Sequence, residues 1–229
     1  MYKKAITVAK ISLSQMKNVY IITGIVVLAM VSEYITTLFV PYSKDNIIVS
    51  AGNMVMLIPL LAAIYLPAQH LRKAMNLGAK RRDFFYGAIP VYVILSAFTT
   101  LVMMLCYYTI DRWMATRIGG VLDILAVFGF IRRGPIAAFI QMCVFLMLFT
   151  SFVHTLTAAQ DKWYGWAADV LIVAIISVFT PIAPLRAKLV WFFNLIIFNR
   201  YAILQITACL VLASAIYMLN KPILARKAL

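Results

Sequence analysis

From Asn18 to Leu219 the chain is a succession of apolar stretches, most of them about twenty residues long, separated by short polar connections. A run of that length crosses the hydrocarbon core of a bilayer as a helix, where every backbone N–H and C=O must find an internal partner. A β-barrel would instead show short segments of alternating polarity, whereas these runs are continuous. Only 12% of the 229 residues are charged, about half the share in an ordinary soluble domain, so there is too little polar surface to meet water on all sides. The expected fold is all-α and integral to the membrane, one domain over residues 1–229.

The spacing predicts six spans. Residues 1–17 are not one of them: Ala5, Ile6, Ala9, Leu13 and Met16 recur at helical spacing opposite Lys3, Thr7, Lys10, Ser14 and Lys17, the pattern of an amphipathic helix lying in the interface. The first span is expected at about 18–40, stopped by Pro41–Asn46, and the second at about 47–68. Residues 69–83 are the most basic interior stretch and are expected in water or among headgroups. The third span is expected at about 84–110, after which Asp111 opens a loop to Gly134 whose apolar part, 121–131, is too short to cross. The fourth (135–158) and fifth (164–182) are joined by a five-residue connection, and Pro181 and Pro184 end the fifth. Residues 183–200 are apolar but short, an external re-entrant or interfacial segment, and the sixth span follows at about 201–219.

Twenty-one Lys and Arg against seven Asp and Glu give a net charge of +14. With the spans assigned, this excess reads as topology and not as nucleic-acid binding, because no basic stripe interleaved with aromatics lies outside the apolar runs. Placing the N-terminus inside puts 13 of the 21 basic residues on the cytoplasmic side, so both termini are expected there, in a bacterial cytoplasmic membrane. The first apolar run lacks a small-residue cleavage pattern and is expected to remain as an anchor. Cys106, Cys143 and Cys209 all fall inside apolar runs without C-x-x-C spacing and read as buried hydrophobes, neither disulfides nor metal ligands.

No motif carries catalysis. There is no G-x-x-x-x-G-K-[ST] loop for ATP, no H-E-x-x-H pair and no G-x-S-x-G elbow; Glu33 is the one glutamate, and His70 and His154 stand on different segments. The chain is expected not to be an enzyme and to hold no metal. Three ionisable residues in apolar runs, Glu33, His154 and Asp169, are candidates for a substrate path, because a charge in the bilayer is costly and usually faces water or a partner. For each of the three the alternative is structural: snorkelling, ion pairing or hydrogen bonding. The stretch 69–83 is more specific. Leu71, Ala74 and Met75 share a helical face, Gly78 is placed as a C-terminal stop, and Asp83 opens the next helix near its positive end. A short helix, a glycine stop and a new membrane helix make a lever suited to transmitting motion from a cytoplasmic partner.

At Leu77-Gly78-Ala79-Lys80-Arg81-Arg82-Asp83-Phe84-Phe85-Tyr86-Gly87 the sequence resembles permease subunits of the type-two ATP-binding-cassette exporters. The layout is similar over most of the chain: interfacial N-terminal helix, six spans, a cytoplasmic loop between the second and third, and a half-membrane segment before the sixth. Small bacterial permeases that export amphipathic or antimicrobial peptides are the nearest in character. The resemblance implies that residues 69–78 form a coupling helix, with Leu71, Arg72, Ala74, Met75, Asn76, Leu77, Gly78, Arg81 and Arg82 meeting an ATPase subunit. It implies that the N-terminal helix, through Lys3, Lys10, Leu13 and Lys17, meets it too. Two permeases and two separate ATPase subunits would then make the complex, with ATP and magnesium held by the partner and no cofactor in this chain. One departure stands out: Lys80 replaces the Ser or Thr that often caps the third span, and lysine cannot accept that hydrogen bond, so the helix start is expected to shift.

Two other classes share features with this sequence. A substrate-binding membrane subunit of a vitamin-type uptake system would gather polar residues near the outer face, whereas the polar residues here are scattered along the chain. A non-transporting immunity or sensor subunit would carry the same coupling loop. An intramembrane prenyl-protein protease would need paired acidic motifs, which are absent.

Overall fold

A computed structural model describes residues 2–39, 47–118 and 120–226. The side chain of Lys3 and the polar turn expected at 41–46 lie outside the described residues. The regular elements of the described chain are helices except for two three-residue strands.

Helix α1 (Tyr2–Gln15) leads directly into α2 (Lys17–Phe39). Strand β1 (Ile47–Val49) follows, and then α3 (Ala51–Met54), α4 (Leu57–Tyr65), a π-helical turn at Leu66–His70 and α5 (Leu71–Asn76) run on as one 26-residue span. The π turn has a local cause. Pro67 has no N–H to give, and the ladder is re-joined by the Leu71 N–H donating to Leu66 O, five residues back. Helix α6 (Arg81–Cys106) passes through a second π turn at Tyr107–Asp111 into α7 (Arg112–Met114), 34 residues in all. Strand β2 (Gly120–Leu122) and the short α8 (Ile124–Val127) lead through a 3-10 turn into α9 (Pro135–Ala159). Helices α10 (Trp163–Phe179), α11 (Ala183–Ile196) and α12 (Ala202–Arg226) complete the chain.

Five of these helical rods are long and apolar enough to cross a membrane, and a sixth is reached only by counting α10 and α11 as one span. Those two meet at 118° across the Thr180–Ile182 break, which Pro181 and Pro184 enforce. The chain is thus an all-α, multi-pass membrane protein.

Three sequence expectations change. The second span starts at Ala51, after a strand, and its helical rod runs on to Asn76, so the short helix expected before Gly78 is continuous with the span and not separate from it. Arg72, Lys73 and Asn76 are exposed while Leu71 is buried, and a helix whose polar groups share one side need not stop at the edge of the hydrocarbon. Asp111 does not open a loop; it is the buried last residue of a helical turn. The start of α6 does not shift for want of a cap either. Lys80 is extended, and its own N–H donates to Asp83 Oδ2 at 3.2 Å, the half of a capping box that a lysine permits.

Helix α9 is the centre of the bundle, packed on α4, α6 and α12. Alanines are among the most enclosed residues: Ala62, Ala63 and Ala138 are wholly buried, and Ala88 and Ala158 nearly so. Small residues at crossings are what helix packing in lipid requires, since apolar attraction alone does not favour protein over acyl chain. The 51–76 span is the most enclosed, 56% buried, against 17% for α2, so α2 presents most of its surface to lipid. α1 packs along α6 with Ala5, Val8, Ala9 and Ser12 buried, so the face expected to lie in the interface is largely against protein; Ile6, 63% exposed, is left for lipid.

Candidate functional site

Three places gather side chains that a membrane helix bundle does not need for packing alone: the α1 end, the opposite end and a point inside the bundle.

At the α1 end, α5 stops in a Schellman turn. Gly78 has φ +79°, its N–H donates to Met75 O at 2.9 Å, and the Ala79 N–H donates to Ala74 O at 3.0 Å. Glycine is required here because a side chain is strained at that φ. The turn aims the span directly into α6, so α5, Gly78 and the start of α6 form a tight elbow. On it Arg72, Asn76, Leu77 and Gly78 are exposed, Leu77 by 66%, whereas Ala74, Met75 and Arg81 are half-buried. Leu71 is 1% exposed and belongs to the core with Leu66 and Phe84; a partner reaches it only through its neighbours. Arg82 is exposed and sits over the Tyr86 ring at 5.8 Å, and the Arg81 guanidinium donates to Ala225 O, tying α6 to the end of α12. α1 lies alongside with Lys4, Lys10 and, past its end, Lys17 exposed, and Leu13 packed against the core.

Inside the bundle, His154 of α9 is wholly buried and shares a hydrogen bond between its Nδ1 and the Tyr92 hydroxyl of α6. Phe84 stacks on it at 6.5 Å and Tyr217 of α12 lies at 5.6 Å, its own hydroxyl donating to Phe85 O at 2.7 Å. One turn away, Asn220 Nδ2 donates to Thr155 Oγ1 at 2.8 Å. A cavity of about 130 Å³ borders Tyr92, Ser151, Ser214 and Tyr217, between α6, α9 and α12. The other two substrate-path candidates do not join His154. Glu33 is half-buried on α2, and Asp169 on α10 accepts from Gln160 Nε2 at 2.6 Å, a bond that fixes the α9–α10 corner.

The far end holds a cluster that sequence reasoning missed. β1 and β2 pair in parallel, Ile47 opposite Gly120 and Val49 opposite Leu122. Beneath them Asp111 accepts from the Tyr34 hydroxyl at 2.7 Å and from Ser50 Oγ at 2.5 Å, and the Tyr34 oxygen accepts from the Ala51 N–H at 3.0 Å. Asn53 bridges to the other strand: its Nδ2 donates to Leu122 O at 2.8 Å and its Oδ1 accepts from the Ile124 N–H at 3.1 Å. Asp123 caps α8, Oδ1 accepting from the Leu125 N–H at 2.7 Å and the Ala126 N–H at 3.3 Å. The polar residues of this chain therefore do converge, contrary to their scatter in sequence, but they spend their hydrogen bonds on one another. The arrangement is a latch that joins α2, α3, α6 and α8. One sequence signal was available: Ser50 and Asp123 each stand directly before an apolar helical run, where an N-cap belongs.

The latch responds to pH. Asp123 Oδ2 faces Asp111 and has no hydrogen-bond donor among the described residues. Burial, with the Asp111 charge adding to it, pushes the Asp123 carboxyl up from 3.8 to about 6, against the two capping N–H groups that favour the charged form. Asp111 of the α6 rod, Tyr34 of α2 and the Cys106 thiol are the titratable groups around it. Because the folded form holds its proton more tightly, the stabilisation is complete below about pH 4 and gone above about pH 6. Between pH 5 and pH 7.5 the loss is about 1.5 kcal/mol. Thermal melting of the purified chain in detergent is expected to show a lower midpoint at pH 7.5 than at pH 5, and Asp123→Asn, which keeps the cap and can donate to Asp111, is expected to remove that difference.

No family model, curated protein or solved structure matches the chain. The reading of its function accordingly rests on its own residues. Among the described residues no group of three or more His, Cys, Asp or Glu side chains is arranged to hold a metal ion.

Proposed function

We propose that the chain is the membrane-spanning permease subunit of an ATP-driven exporter, powered by separate ATP-binding-cassette ATPase subunits and working with a second permease. The observation that carries this reading is the elbow at the α1 end. A glycine-locked turn leaves Arg72, Asn76 and Leu77 exposed while its other face, through Leu71, is keyed into the bundle core. A push on such a turn is delivered to the 51–76 span and to α6 together, because a Schellman turn between two packed helices has little freedom to absorb it. ATP would close the partner's dimer, and the differential contact of its closed state with this elbow would shift the permease between inward and outward forms.

Amphipathic peptides, toxins or lipid-like molecules are the substrate class that suits the rest of the bundle. The cavity beside Tyr92 and Tyr217 is walled mainly by apolar side chains, including Ile89, Met147 and Met218. His154 and Tyr92 supply polarity behind that wall. The far-end latch argues against a tight small-molecule uptake site there, since its donors and acceptors already face one another.

The test is co-purification. The chain, co-expressed with the products of the adjacent reading frames, is expected to elute with an ATP-binding-cassette ATPase subunit. The double substitution Arg72→Glu and Leu77→Asp is expected to reduce the co-eluting ATPase at least about tenfold, a typical cost for losing a central interface contact together with a steering charge. Both residues are exposed, so the melting temperature of the variant should match that of the unmodified chain. Failure of any ATPase to associate with the unmodified chain sinks the reading.

A further inference from the structure

Between α1 and the α5 elbow lies a groove of about 200 Å³. Its two walls each contribute a lysine, Lys4 from α1 and Lys73 from α5, and its floor includes His70, which is 5% exposed. His70 Nδ1 makes no hydrogen bond among the described residues, although a buried imidazole nitrogen normally finds a partner. No acidic side chain lines the groove, and Val8, Ile11, Ala74 and Leu77 make most of the remaining wall apolar. Two lysines on the walls of one groove with no acidic side chain between them are matched by a group with several acceptor oxygens and a negative charge. The apolar wall asks that the same molecule carry hydrocarbon.

We propose that this groove binds the headgroup phosphate of an anionic glycerophospholipid from the leaflet on the α1 side. Lys4 and Lys73 pair with the phosphate oxygens, and the first carbons of an acyl chain lie against Val8 and Ile11. The lipid would thereby brace α1 against the elbow. The inference concerns the groove alone and holds whether or not an ATPase docks on Arg72 and Leu77.

Native mass spectrometry of the full chain, purified in detergent and titrated with phosphatidylglycerol or phosphatidylcholine, tests this. A saturable phosphatidylglycerol adduct is expected, with phosphatidylcholine retained far less. Lys4→Gln and Lys73→Gln are each expected to weaken it about fivefold and the pair about thirtyfold, from the attraction that a basic residue contributes at an anionic surface. Removing the same charge elsewhere, with Lys10→Gln and Lys188→Gln, is expected to leave the adduct within twofold. Equal loss in the Lys10/Lys188 control would show only diffuse attraction and overturn the site. Equal retention of the two lipids, or displacement of phosphatidylglycerol by millimolar inorganic phosphate, would overturn the lipid assignment.

Discussion

Asp111→Ala is expected to unfasten the far end of the bundle. The substitution strands the Tyr34 and Ser50 hydroxyls, both of which donate to this carboxylate in a buried setting. Bonds to a charged acceptor are each worth about 1.5 to 3 kcal/mol, and orphaned buried donors add their own cost, so a loss of about 3 to 5 kcal/mol follows. In a chain of this size that lowers the melting midpoint by about 10 °C. Asp111→Asn separates the charge from the geometry. The amide oxygen still accepts from Tyr34, the amide nitrogen can donate to Ser50 Oγ, and repulsion of Asp123 is removed, so its cost should be about 1 kcal/mol. Melting curves of the two variants in one detergent decide the matter. If alanine is as mild as asparagine, the carboxylate is not what holds the latch.

That the latch was not legible in the sequence has a physical reason. Tyr34, Ser50, Asp111 and Asp123 are brought together by three helices and two strands, and the Tyr34–Asp111 bond joins residues 77 apart. Local spacing detects faces and caps, not partners across a bundle. Asp111 looked like the start of a loop because a charge after an apolar run usually marks the water boundary; here its two hydroxyl partners let it stay buried. The same local rule ended the second span at 68 and made the stretch before Gly78 a separate short helix, whereas one helical rod runs on to Asn76 with Arg72 and Lys73 on its exposed side. Where the determinant is local, the sequence was sufficient. Gly78 carries the positive φ expected of a helix stop, the span at Pro135–Ala159 ends within a residue of its expected place, and the two prolines after Phe179 do break the fifth helical segment. His154 was identifiable as a costly residue in an apolar run, but nothing near it in sequence names Tyr92 as its partner.

Gly87→Val is expected to lift α1 off the bundle. A Cβ at this position meets Ala5 O at 2.8 Å and the Val8 side chain at 3.1 Å. The first of these is backbone, which cannot rotate away, so α1 must move as a body; overpacking of this kind costs about 1 to 3 kcal/mol. Ser12 reports the movement. It is 3% exposed beneath α1, so a Ser12→Cys thiol should be protected from a maleimide in the otherwise unmodified chain and should react at least about tenfold faster when Gly87 is valine. Gly87→Ala, with a single added carbon, should give an intermediate rate. If the chain is the exporter permease proposed above, the consequence for transport follows from what α1 and the elbow share. With α1 displaced, the wall that carries Lys4 leaves the groove while Arg72 and Leu77 stay where they are, so an ATPase that docks on the elbow should still co-purify. Substrate-stimulated ATP hydrolysis should nevertheless fall, because the elbow has lost the helix that braces it on α6. An unreactive Ser12→Cys thiol in the Gly87→Val background would mean that α1 accommodates the valine in place, and the brace would have to be sought elsewhere along α6.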